Sequence, residues 1–192
     1  MANKTTRIIL DLNGVVQRRP MSQVLKFGLW EMIRLKLSPM TFINIICKLA
    51  RGGEKPGPAE MEFVRRFYDK DQHIKMAFLP GARKTVKKLL EKYSVYICSA
   101  NACSAESDKR YADFLTKKIG KCTDIHFVKP GETKLDYYRQ MKASYPNDEI
   151  IVVDDSKRHI DAAQSIGLSV RWINKKHGYK NLNAAFFGDG GK

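Results

Sequence analysis

The chain has 192 residues, 43% of them hydrophobic, which suits one compact domain with an insertion and excludes collagen-like, low-complexity and disordered classes. Lysine and arginine number 35 against 20 acidic residues, a net charge of +15, so acidic partners are expected: phosphorylated substrates, anionic lipid or nucleic acid. Cys47, Cys98, Cys103 and Cys122 form no CxxC pair, which argues against a zinc site or disulfide framework and for a reducing compartment.

The N-terminal residues show no signal-peptide pattern, and the apolar run Arg7–Leu12 reads as a buried strand. This strand delivers Asp11 into the turn Asp11-Leu12-Asn13-Gly14. Residues 17–79 then break any strand pattern. Three helices are expected there, over Ser22–Leu37, Pro39–Arg51 and Ala59–Lys70, with the Gly- and Pro-rich residues 52–58 separating the last two. The first carries a wide apolar face with Leu25, Leu29, Trp30 and Ile33, which must be buried against other helices, the core or a membrane. The stretch from Leu37 to Cys47 is too short to span a bilayer, which needs about 20 residues. A soluble, cytoplasmic protein is expected.

After the Leu79-Pro80-Gly81 turn, helices and strands alternate. Helices are expected over Gly81–Lys92, Glu106–Ile119, Thr133–Ser144 and Arg158–Ile166, with a short one over Leu182–Phe187. Strands fall at Val95–Cys98, Ile125–Val128, Ile150–Val153 and Ser169–Ile173. This order predicts an α/β fold: a Rossmann-like parallel sheet with helices on both faces. Residues 1–16 and 80–192 form the core, and residues 17–79 form a small all-helical cap inserted after the first strand. Such an insertion sits above the carboxyl ends of the strands, where it can act as a lid.

The strand Ile150–Val153 ends, like the first, in acid: Asp154 and Asp155. Open α/β sheets place their chemistry at strand carboxyl ends, so these two strands side by side would gather Asp11, Asp154 and Asp155. Carboxylates that close repel unless a hard cation lies among them, and Mg²⁺ is the usual one.

Asp11-Leu-Asn-Gly-Val-Val16, the strand ending at Ser99, a downstream lysine and Val152-Val-Asp-Asp-Ser156 together resemble the four motifs of the haloacid dehalogenase (HAD) superfamily, over residues 5–16 and 80–173. The resemblance implies an aspartyl-phosphate formed on Asp11, with Mg²⁺ held by the Asp11 side chain, the Asn13 carbonyl and the Asp154–Asp155 pair. Asp155 matches the direct ligand. Asp154 matches a water-mediated or second one. Ser99 matches the hydroxyl that binds the phosphoryl group, helped by backbone amides at Ala100 and Asn101. The motif lysine is Lys129 or Lys134; Lys134, at the start of the helix leading to Asp154, is the preferred reading. Its charge would counter Asp11 and the bound phosphate.

Asn13 departs from the pattern. Phosphatases of this family have an aspartate there that protonates the leaving oxygen and deprotonates the attacking water; an amide does neither. The implied enzyme is therefore a Mg²⁺-dependent phosphohydrolase favouring good leaving groups, such as aryl phosphates or phosphotyrosine. Its partners would be a phosphorylated small molecule or a phosphoprotein. The second reading is a weak or inactive HAD-fold binding module, because residues 17–52 hold seven Lys/Arg against Glu31 alone. That basic cap would meet anionic lipid or a protein partner; nucleic acid is disfavoured, since no groove-reading motif is present. A dehalogenase ranks last, having less use for a metal-binding acid pair. His159 reads first as an ordinary, partly exposed helix residue and only second as a contact of the metal shell or substrate, and Arg18 and Arg19 read equally as substrate contacts or solvated hinge charges.

Overall fold

The computed structural model describes residues 5–18, 21–34, 38–44, 58–100, 104–128 and 132–188. In chain order these form β1 (Thr6–Leu10), α1 (Met21–Arg34), α2 (Pro58–Asp69), α3 (Ala82–Leu90), β2 (Ser94–Ser99), α4 (Ala105–Ile119), β3 (Asp124–Phe127), α5 (Lys134–Ser144), β4 (Glu149–Asp154), α6 (Lys157–Ser165), β5 (Ser169–Trp172) and α7 (Leu182–Phe187). A 3₁₀ turn over Gln72–Lys75 and a helical segment at residues 39–44 complete them.

The five strands make one parallel sheet in the order β3-β2-β1-β4-β5. The first strand in the chain is thus the central one. Its alternation divides the core: Ile8 and Leu10 join Val95, Ile97 and Val153 under α3, α4 and α7, through Val86, Leu89, Tyr111, Leu115 and Leu182. Ile9 faces the other way with Cys98 and Val152, under Tyr137, Tyr138 and Met141 of α5. A strand covered on both faces needs apolar residues at every position, which is why its sequence is a continuous run.

Among the described residues the expected elements are present, with ends shifted by a few residues in either direction. β1 stops at Leu10 because the chain turns at Leu12–Gly14, although Asp11 N–H still donates to the Val153 carbonyl at 2.9 Å. The helix expected over Glu106–Ile119 starts one residue earlier, where the Ser104 hydroxyl accepts from Ser107 N–H as its N-cap. The 3₁₀ turn had no periodic signal.

The insertion leaves and rejoins the sheet at a two-stranded neck. Arg18 N–H donates to the Ala77 carbonyl at 2.8 Å, Leu79 N–H donates to Val16 at 2.9 Å, and Gln17 pairs with Phe78. Within it, α1 packs on α2 through Phe27 against Phe63 and Phe67, with ring centroids 5.5 Å apart in both pairs. Gly28 gives the 39–44 segment its seat: a Cβ there would come within 2.4 Å of the Phe42 ring.

α1 is turned the opposite way from its composition. Glu31 is the buried residue, accepting from Arg66 at 3.0 Å and Lys70 at 2.9 Å, while Leu25, Leu29, Trp30 and Ile33 are exposed. An acid ringed by cations tolerates burial, and the pairing with α2 fixes the rotation of the helix. The part of the second cap helix beyond residue 44 lies outside the described residues.

Candidate active site

The β1–β4 register decides which side chains meet. Leu10 pairs with Val153, so Asp11 and Asp154 follow as neighbours at the carboxyl ends of adjacent central strands. Both continue the sheet face of Ile9 and Val152, the face covered by α5. Lys134 is the first residue of that helix. Thr133 caps it reciprocally: its hydroxyl accepts from Asp136 N–H, and the Asp136 carboxylate accepts from Thr133 N–H at 2.9 Å. The cap sets where α5 begins, and so where the lysine enters.

Lys134 Nζ lies 2.8 Å from Asp11 Oδ1 and 2.7 Å from Asp154 Oδ2. All three are nearly inaccessible, at 4%, 8% and 0% exposure respectively. Burial pushes the Asp11 carboxyl up to about 6; Lys134 pulls it down, and the charge of Asp154 adds to the rise. Asp154 is held below the usual range despite its burial, by hydrogen bonds from His159 and Lys134. Lys134 is raised although burial opposes it, because Asp11 and Asp154 both favour its charge.

Asp155 completes the group. One ligand atom each from Asp11, Asp154 and Asp155 lies within 4.8 Å of the others, a spacing that a single divalent cation can bridge. Asp155 reaches this position over Gly14. A Cβ on Gly14, whose φ is +81°, would fall 1.8 Å from Asp155 Oδ2. Asn13 is buried beside them, and its Oδ1 has no hydrogen-bond partner. Three carboxylates this close repel one another, and a divalent cation among them relieves that repulsion, so the donor set fits a hard metal ion.

Asp154 is already well occupied. Its Oδ2 meets Lys134 and, at 3.1 Å, His159 Nδ1, while its Oδ1 accepts from Ser156 N–H at 2.8 Å. Ser99 ends β2 and is fully buried, and Ala100 follows it on the surface. Arg18 is exposed, and its backbone belongs to the neck. Cys98 lies on β2, its thiol pushed up to about 12 by burial, and Cys122 is raised to about 11 by the same cause. Both are inert as nucleophiles. Asn101, Lys129, Arg19, Cys47 and Cys103 lie outside the described residues.

Three constraints escaped sequence reasoning. The Thr133-x-x-Asp136 capping pattern was legible and marks Lys134 as the first helical residue. Gly14 was visible as a turn glycine, but its contact with Asp155 required the fold. Gln17 is fully buried and accepts a hydrogen bond from the Tyr111 hydroxyl, tying the neck to α4; nothing local in the sequence signals this.

No family model and no curated protein matches the chain. Solved structures do. A haloacid dehalogenase-like hydrolase from Streptococcus pneumoniae aligns with TM-score 0.63 at 16% identity, over 93% of this chain and 88% of the other. A structure assigned as a HAD-hydrolase from Bacillus subtilis, bound to magnesium, gives 0.52 at 16% identity over 91% and 89%. An aspartate-to-alanine mutant of a HAD family enzyme from Bacteroides thetaiotaomicron, in complex with magnesium and inorganic phosphate, gives 0.53 at 15% identity over 91% and 97%. The chain has the haloacid dehalogenase-like fold.

Two outcomes follow from the geometry. The stability linked to Asp11, whose folded value lies above the ordinary 3.8, is present below that value and lost as the pH rises through about 6. Asp11→Asn should therefore stabilise the fold in EDTA at pH 7.5, by on the order of 2 kcal/mol, with a higher melting temperature, and the gain should shrink towards pH 4. Thermal melts across that range check it. Gly14→Ala should lower Mg²⁺ affinity by about tenfold or more in titration calorimetry, because Asp155 is displaced. Gly81→Ala, also at positive φ but with no atom within 4 Å of its Cβ, should leave that affinity unchanged.

Proposed function

We propose that the protein is a Mg²⁺-dependent phosphohydrolase that works through an aspartyl-phosphate on Asp11. The observation that carries this reading is the meeting of Asp11, Asp154, Asp155 and Lys134 at one strand edge. The fold is that of hydrolases solved with magnesium and with phosphate, which supports the same reading.

Asp11, Asp155 and the Asn13 carbonyl would hold the ion, with Asp154 acting through water, since its oxygens are engaged by Lys134, His159 and Ser156. The ion, when bound, offsets phosphate charge and lets an anionic nucleophile approach. The chain's own residues do the rest. Lys134 keeps Asp11 ionised and counters the phosphoryl charge. An Asp11 oxygen attacks phosphorus, the bond from phosphorus to the ester oxygen breaks, and its electron pair leaves with that oxygen. Ser99, with the backbone at Ala100 and Asn101, would bind the phosphoryl oxygens. Water then attacks phosphorus, the bond from phosphorus to the Asp11 oxygen breaks with its electron pair restoring the carboxylate, and the water's protons pass to the released phosphate and to solvent. Residues 17–79 serve as a cap above this edge.

Asn13 sets the substrate class. The leaving oxygen departs without a proton from that position, a loss worth roughly 10²–10⁴-fold for a basic alkoxide and far less for a phenolate. Phosphorylated small molecules or phosphoproteins with aryl esters are the expected substrates. Aryl phosphates should be hydrolysed at least about 100-fold faster than alkyl phosphates in kcat/KM, with Asp11→Asn inactive on both. Asn13→Asp should raise alkyl turnover and narrow the gap. Equal rates on the two classes, or turnover surviving Asp11→Asn, would contradict the assignment.

A further inference from the structure

Among the described residues, six of the eight large apolar side chains left in solvent fall on α1 and the 39–44 segment, Tyr179 and Phe187 being the others. Leu25, Leu29 and Ile33 follow one another at four-residue spacing along α1, and Trp30 lies beside them. Met40 and Ile43 extend the same patch from the helical segment that Phe42 seats on Gly28. Exposure is high throughout, reaching 66% at Trp30 and 72% at Ile33. A patch of six such residues exceeds the scattered exposure normal for a soluble surface.

The exposed charges on α1 itself are basic. Lys26 and Arg34 are exposed there, whereas the single acid between residues 17 and 52, Glu31, is turned inward and paired with Arg66 and Lys70, with Arg34 at 3.8 Å; the acids of α2, such as Glu62, are engaged by Arg65 and Arg66. The helix thus hides its acid and offers aliphatic groups, an indole and cations. A second copy of the chain would set these cations against their own kind, with no acid on the patch to receive them. An anionic bilayer satisfies both features: acyl chains take the apolar groups, the indole sits at headgroup depth, and lipid phosphates meet the cations. No described helix is long and apolar enough to cross a membrane, so the contact is one of lying on the surface.

We propose that α1 and the 39–44 segment form a docking face for anionic lipid membranes. The face is separate from the carboxylate cluster, so docking does not require turnover.

The test is co-sedimentation of the full chain with vesicles of phosphatidylcholine alone and of phosphatidylcholine mixed with phosphatidylserine, over a salt series. Binding is expected only to the phosphatidylserine vesicles, weakening as salt rises. The double variant Trp30→Ser, Ile33→Ser should lower partitioning by about tenfold or more. Lys26→Glu should lower it by about tenfold, while Lys117→Glu on α4, an equal change of net charge elsewhere, should cost less than about twofold. These positions are exposed, and unchanged thermal melts would show that the variants fold. Asp11→Asn should bind as the wild type does. Absence of binding to phosphatidylserine vesicles overturns the proposal. So does an equal loss from Lys117→Glu, which would indicate diffuse attraction. A concentration-dependent dimer, seen by sedimentation and abolished by the Trp30 and Ile33 changes, overturns it in favour of a self-association face.

Discussion

One buried lysine shared by two buried carboxylates organises the carboxyl edge of this sheet. Lys134 touches Asp11 and Asp154 within 2.8 Å, where little water screens the charges. Alone, two acids so placed would resist joint ionisation; the rise of Asp11 to about 6 comes first from its burial and then from the charge of Asp154, against the pull of Lys134. The lysine resolves part of it and leaves net negative charge, which Asp155 increases. A site built this way is stable only incompletely without a cation. Its strain is a property of the fold, independent of any substrate.

That arrangement depends on features remote from it. The parallel register places Leu10 opposite Val153, and a slip by one residue would send Asp11 to the opposite sheet face. The Thr133–Asp136 cap fixes the first turn of α5, and Gly14 leaves the space that Asp155 fills. Each is a small backbone device. Together they hold four ionised groups where an open chain would spread them apart.

Much of this was legible in the residues. Continuous β-branched runs marked the buried strands, and acids at their ends marked the edge that carries chemistry. The choice between Lys129 and Lys134 was open on spacing alone; the structure brings Lys134 to the acids, and the capping pattern gives the physical reason. The rotation of α1 was not legible. Its apolar count suggested burial, but the stronger demand was to neutralise Glu31, and that depended on Arg66 of α2 and Lys70 just beyond it, 35 and 39 residues away. Side-chain pairing across such separations leaves no periodic trace. Asn13 shows the converse: the proposed distinction between leaving groups rests on a single residue type read against chemistry.

The claim beneath all of this is that Asp11 and Asp155 share one divalent ion. Crystals soaked in Mn²⁺ test it directly, because anomalous scattering locates the ion without reference to activity. The account requires a single peak in contact with carboxylate oxygens of Asp11 and Asp155, lost in Asp11→Asn crystals. A peak elsewhere, or one that persists unchanged without the Asp11 carboxylate, would contradict it.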